Sequence, residues 1–229
     1  MSRSPARWAL DLRDPAWRRE PSQPRRYDVV YEPAPGRADG YATYRVTAGW
    51  SSGLPHGSVQ VDELVALCPE ATVALYRYCL QLDLATTVAF LRRSPEEPLR
   101  WLLADPRRLR ATAVGDRLWL RLLDVPAALA ARRYAVQGTL IIGVTDQLRP
   151  ANQGTVRLEG GPDSAACRLT RGQSDLACDV ADLGAAYLGG VSFSMLARAG
   201  RVVEHKRGAV ARADAMFVLQ PAPWCSTVF

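Results

Sequence analysis

The chain ends Pro221-Ala222-Pro223-Trp224-Cys225-Ser226-Thr227-Val228-Phe229, apolar and aromatic to its last residue. Chain ends are ordinarily polar and frayed unless something ties them down. This ending therefore favours folds that offer the terminus an apolar seat, and the two prolines fix the approach of the backbone. Burial would carry the α-carboxylate of Phe229 inward, where desolvation raises its pKa from an ordinary value of about 3.5. The residues alone leave two readings open. Trp224 and Phe229 close a hydrophobic core, or the carboxylate works as a base.

Upstream, the hydrophobic pattern spells out a mixed chain. Segments 27–32 and 41–46 alternate and are rich in aromatics, which predicts a hairpin across the turn at 35–40. A third strand is expected over 58–64. Pro69 suits the first position of a helix running to about Gln81, with Leu75, Tyr78, Cys79 and Leu82 on one face. A strand at 86–90 and a short helix near 98–103 follow. Residues 1–26, rich in Arg, Pro and Ser, read as a linker or incomplete N-terminal segment with one helical turn near 15–19.

From Arg110 the character changes. Strands are expected at 118–125 and 138–144 around a helix at 126–133, then hairpin strands at 156–159 and 166–169. A short strand, a small-residue helix stopped by Gly189-Gly190, and helices over 192–199 and 209–217 complete the chain. The fold class is α+β, with segments 1–26, 27–109 and 110–229.

Composition excludes several functions. No apolar run approaches the ~18 residues of a membrane helix. Arg7, Asp11, Arg13 and Asp14 interrupt any signal-peptide core, so no membrane association is expected. Five scattered cysteines without a CxxC read as reduced thiols in a cytoplasm. The net charge of +6 comes mostly from residues 1–26, with seven arginines against three acidic residues. No recognition motif accompanies it, so nucleic acid is not an expected partner. His56 and His205 have neither metal-ligand spacing nor a nucleophile motif, and no metal site is expected.

Several ordered motifs carry a resemblance: LLADPRRL (102–109), WLRLLDVPAALAARRY (119–134), DLGAAYLGG (182–190), ARADAMF (211–217) and the PAPWC ending (221–225) with its terminal Phe. Together they resemble the enhanced intracellular survival (Eis) family of bacterial GNAT-type N-acetyltransferases, from about residue 27 to the end. Such enzymes carry a GNAT unit that binds acetyl-CoA, a second degenerate GNAT unit, and a sterol-carrier-protein-like domain. The resemblance implies that 27–109 is the degenerate GNAT-like unit and 110–229 the sterol-carrier-like α+β domain.

An active GNAT unit cradles the CoA pyrophosphate on backbone N–H groups at a helix N-terminus, with the pattern Arg/Gln-x-x-Gly-x-Gly/Ala. Here the matching place reads Leu67-Cys68-Pro69-Glu70-Ala71-Thr72. It lacks glycine, Pro69 removes a donor, and Glu70 sets a negative charge where phosphate would lie. Residues 37–42 fit the pattern by letters but open a strand. Acetyl-CoA is thus expected as co-substrate of a complete enzyme, with none bound by this chain alone, which would be inactive by itself.

The resemblance also implies a primary-amine acceptor, either an aminoglycoside-like small molecule or a lysine amine, and a homo-oligomer, a hexamer in the family. It gives the carboxylate of Phe229 the role of general base. Val228 stands where some members have an acidic residue, which argues against a strongly polycationic acceptor. Asp124 reads either as a helix cap or, with Trp224, as part of the acceptor-binding surface. A second class of function fits the same residues: a non-catalytic binding or assembly module that has lost its catalytic half.

Overall fold

The computed structural model describes residues 4–14, 17, 23–116 and 118–225. The chain divides into two compact units at Thr112 and Ala113, with residues 94–96 grouped with the second.

The first unit opens with helix α1 (Pro5–Arg13), started by Ser4, whose Oγ accepts from the Arg7 N–H at 3.2 Å, and by Pro5 at the first position. The linker reading of residues 1–26 is corrected over this stretch. The helical turn expected at 15–19 lies, apart from Trp17, outside the described residues. Tertiary contacts secure α1. Trp8 meets Tyr41 edge-on at 6.0 Å. Asp14, just past the helix, receives two hydrogen bonds from Arg45, at 2.7 and 3.1 Å. Arg45 is buried in the sheet and also donates to Asp62 at 2.9 Å. Its guanidinium holds the Asp14 carboxyl below the usual carboxylate range.

The sheet is built from β1 (Arg26–Tyr31), β2 (Gly40–Thr47), β5 (Gly57–Ala66) and β6 (Ala85–Phe90), in the order β1-β2-β5-β6. A small hairpin of β3 (Trp50–Ser51) and β4 (Leu54–Pro55) lies between β2 and β5 in sequence. Neighbours are antiparallel except β5 and β6, which run parallel through the crossover helix α2 (Pro69–Leu80). Val59, Val61 and Leu64 of β5 and Ala42 and Tyr44 of β2 share one core with Leu75, Tyr76 and Cys79. The buried aromatic is Tyr76, not Tyr78. The Tyr78 ring is 40% exposed, and its hydroxyl meets that of Tyr44 at 2.8 Å. Helix α3 (Leu99–Leu102) and a 3-10 turn at Pro106–Arg108 end the unit.

The second unit holds a five-stranded sheet of β7 (Gly138–Thr145), β8 (Gly154–Gly160), β9 (Ala165–Thr170), β10 (Leu176–Asp179) and β11 (Val202–Glu204), in the order β11-β10-β7-β8-β9. Only β10 and β7 are parallel. Leu140, Ile142 and Val144 alternate inward along β7, as a strand with one packed face requires. Four helices complete the unit: α4 (Val125–Ala131), α5 (Val180–Tyr187), α6 (Phe193–Arg198) and α7 (Ala209–Phe217). Asp179 and Ser192 cap α5 and α6. Asp214 of α7 adds a second anchor by accepting from the Phe193 N–H at 2.6 Å.

The strand expected at 118–125 does not form. Leu122 is buried there, but Leu118, Trp119 and Leu123 are exposed, and the backbone pairs with no strand. A side chain takes over its hydrogen bonds. Asn152 accepts from the Val125 N–H at 3.2 Å and donates to the Leu122 carbonyl at 3.1 Å and to Asp146 at 2.9 Å. The Asp146 carboxylate, lowered in pKa by these bonds, also receives Arg121 at 2.6 Å. Asn152→Ala leaves two buried backbone groups and a buried carboxylate short of partners. It is expected to cost about 3 kcal/mol, read as a fall in the midpoint of urea unfolding. A loss under about 0.5 kcal/mol would show that the segment does not depend on Asn152.

Candidate functional site

The C-terminal tail leaves the second unit at Phe217, the last residue of α7. Arg132, just past the end of α4, reaches that point. Its Nη2 donates to the Phe217 carbonyl at 3.0 Å, and Nη1 donates to the carbonyl of Tyr187, the last residue of α5. Nε donates to the Arg133 carbonyl at 3.1 Å. One guanidinium therefore caps the C-termini of two helices, where the unpaired carbonyls carry partial negative charge. The same group lies 4.5 Å from the ring centre of Phe217, 4.6 Å from Tyr134 and 5.7 Å from Tyr187. Among the described residues no carboxylate pairs with it. Burial pushes its pKa down, and the neighbouring Tyr134 and Tyr187 partly offset that.

A glycine pair forms the other wall. Gly189 has φ of 84°, and a side-chain carbon there would lie 2.5 Å from the Phe217 carbonyl oxygen and 2.9 Å from the Leu219 nitrogen. At Gly190 it would meet Pro223 at 3.2 Å. The pair that the sequence marks as a helix stop thus also lets residues 217–223 pass in close contact.

The sequence-predicted site residues fall in different places. Phe229 lies outside the described residues. Trp224 is on the tail and 45% exposed. Asp124 is exposed and is the N-cap of α4; its Oδ1 accepts from the Ala127 N–H at 2.9 Å, so that bond goes to its own helix and not to the tail. Arg132 was not legible as a site residue, because its partners stand 55 and 85 residues away. Ser174 and His205, also distant in sequence, come within 2.8 Å because β10 and β11 pair. The Asp175 carboxylate beside them accepts from the Ile141 N–H at 3.0 Å.

Residues 67–72, where the resemblance would place a phosphate cradle, lead into α2. Cys68 is the N-cap without a side-chain cap bond, Pro69 is the first helical residue, and Glu70 sits in the first turn. Residues 37–42 lead into β2, with Arg37 paired to Asp39 at 3.0 Å, rather than into a helix. The parallel pairing of β5 and β6 ends at Val61 and Phe90. Beyond it, Arg92 donates to the Asp62 carbonyl at 2.8 Å and Arg93 to the Leu64 carbonyl at 2.7 Å. An extended ligand could add to such an opening strand edge by main-chain bonds; here two guanidiniums hold those carbonyls. No group of three or more His, Cys, Asp and Glu side chains placed to hold a metal occurs among the described residues.

Residues 1–122 match the acetyltransferase (GNAT) domain family, and residues 125–226 match the sterol carrier protein domain family. An uncharacterized N-acetyltransferase of Streptomyces coelicolor is 38% identical over 224 residues, covering 98% of this chain and 54% of that relative. N-acetyltransferase Eis of Mycobacterium tuberculosis is 35% identical over 179 residues, or 78% of this chain and 42% of that protein. The crystal structure of Eis1 from Mycobacterium abscessus superposes with a TM-score of 0.79 at 36% identity, covering all of this chain and 55% of that one. The chain spans about half the length of the curated relatives it matches.

The close approach at Gly189 can be checked against Gly200, which also has positive φ, at 74°, but open space around it. Gly200→Ala is expected to cost about 1 kcal/mol, the strain of a left-handed residue. Gly189→Ala adds a clash with backbone and is expected to cost about 2–4 kcal/mol. Equal losses in denaturant midpoints would show that the tail does not pack against Gly189.

Proposed function

Because the chain belongs to the GNAT acetyltransferase family and carries a sterol carrier protein domain after its GNAT part, we propose that it is the C-terminal portion of an Eis-type N-acetyltransferase. The complete enzyme would transfer the acetyl group of acetyl-CoA to a primary amine, either on an aminoglycoside-like small molecule or on a lysine. The first unit is the degenerate GNAT unit, and this chain alone binds no acetyl-CoA. One observation carries that assignment. The start of α2 offers Pro69 and Glu70 where a phosphate would need N–H donors, and Arg92 and Arg93 hold the β5 carbonyls past Val61.

The chemistry asks for a base. A primary amine such as lysine has a pKa of about 10.4 and is protonated near neutral pH, whereas attack on a thioester needs the neutral form. The α-carboxylate of Phe229 takes that proton, directly or through a water, and a less polar surrounding raises its basicity. Asp124 and Trp224, both exposed, are assigned to the acceptor side. The complete protein is assigned to the cytoplasm and to a homo-oligomer; the exposed Trp101 and Trp119 favour the second assignment. No helix among the described residues is long and apolar enough to cross a membrane.

Titration of this chain with acetyl-CoA in a calorimeter is expected to show no saturable binding. A micromolar dissociation constant would overturn the degenerate-unit assignment.

The role of the tail is tested in a complete enzyme made by joining this chain to an acetyl-CoA-binding GNAT unit. Appending a few residues after Phe229 replaces the carboxylate with a neutral amide and moves the charge away. Turnover is expected to fall by about 10²–10⁴-fold, the usual contribution of a general base, with the melting temperature unchanged. Full turnover in a normally melting, extended enzyme would remove the base role from Phe229.

A further inference from the structure

The proposed reaction leaves one half-buried charge unused. Arg132 is held among the rings of Tyr134, Tyr187 and Phe217, with no carboxylate beside it among the described residues. A half-buried cation still needs partners for its N–H groups, and here they come from backbone. Each helix C-terminus carries roughly half a negative elementary charge. Two such ends, at Tyr187 of α5 and Phe217 of α7, meet at one guanidinium. Without it, the end carbonyls of both helices would lose this partner. The fork of the guanidinium also sets the spacing between the two ends, which a lysine, as a point charge, does not fix.

We infer that Arg132 is a positioning residue for the C-terminal tail. It fixes the place and direction in which residues 218–225 leave the core, and with them Trp224. Arg132 holds the Phe217 carbonyl, Gly189 admits the backbone from Phe217 to Leu219, and Gly190 admits Pro223. These three points define a path for the tail before any substrate arrives. The inference rests on the reading above for its catalytic meaning, because that reading gives the tail the acceptor-side chemistry. The geometry of the clamp stands apart from it.

The cysteines of the chain supply the test. Cys225 lies on the tail. Cys178 sits in the core of the second unit and Cys79 in the core of the first; burial pushes these thiols up to about 12 and about 11. Alkylation of the full chain by iodoacetamide, followed at each cysteine by mass spectrometry, thus reads tail release at Cys225 and global opening at the other two. In Arg132→Ala, the Cys225 rate is expected to rise at least about tenfold while Cys178 and Cys79 stay protected, because local opening is separable from global unfolding. Arg132→Lys should fall between, and low-millimolar guanidinium, but not sodium, should restore protection in Arg132→Ala.

Should Arg132→Ala fail to fold, Gly190→Val leaves Arg132 in place and pushes on Pro223, and the same selective rise at Cys225 is expected. A Cys225 rate unchanged by these variants, or rising only together with Cys178, would overturn the inference. So would wild-type Cys225 reacting as fast as in a free peptide. Full turnover of the tail-extended enzyme would remove the base role from Phe229 and leave the Cys225 result standing, so the two failures are distinguishable.

Discussion

Buried backbone N–H and C=O groups must find partners, and at several places among the described residues a side chain provides them where a neighbouring strand or helical turn does not. Arg132 takes the last carbonyls of α5 and α7. Asn152 takes the Val125 N–H and the Leu122 carbonyl. Arg92 and Arg93 take the Asp62 and Leu64 carbonyls of β5. Each of these side chains decides something larger than itself: where the tail starts, how the second unit begins, and which β5 carbonyls are already taken.

The two units share out the consequences. The first has the strand order β1-β2-β5-β6 and a parallel crossover through α2, which opens on Pro69 and Glu70. Its hydrogen-bonding capacity is spent internally, on Arg45 with Asp14 and Asp62 and on Arg93 with Glu97 at 2.7 Å. The second unit gathers aromatic rings around a cation. Tyr134 and Phe193 meet Phe217 edge-on at 5.1 and 4.9 Å, which ties the end of α7 to the core from which the tail departs.

Legibility in the sequence follows the distance over which a signal acts. The hairpin of β1 and β2, helix α2 after Pro69 and the helix stop at Gly189-Gly190 were readable because alternation, a first-turn proline and a glycine pair act within a few residues. Helix α1, with Ser4 and Pro5 as a local start signal, lies in a segment whose Arg and Pro content reads as a linker; Trp8 on Tyr41 and Asp14 on Arg45 hold it in place. The apolar run at 118–125 has the composition of a strand, yet Asn152 and not a neighbouring strand satisfies its backbone. Of the site, Asp124 was readable as a cap from its place two residues before Pro126.

By itself the sequence determined the α+β character, the ordered motifs that tie the chain to its family, and the Cys68-Pro69-Glu70 start of helix α2. These are properties of residue type at fixed local spacing, and no packing is needed to read them. Only the tertiary structure decided that Arg132 serves two helix ends at once, that Gly189 and Gly190 line the path of the tail, and that Arg92 and Arg93 hold the β5 carbonyls. The physical reason is common to all three. A guanidinium or a missing side chain has no meaning of its own until folding brings a carbonyl from dozens of residues away to within hydrogen-bonding or contact distance.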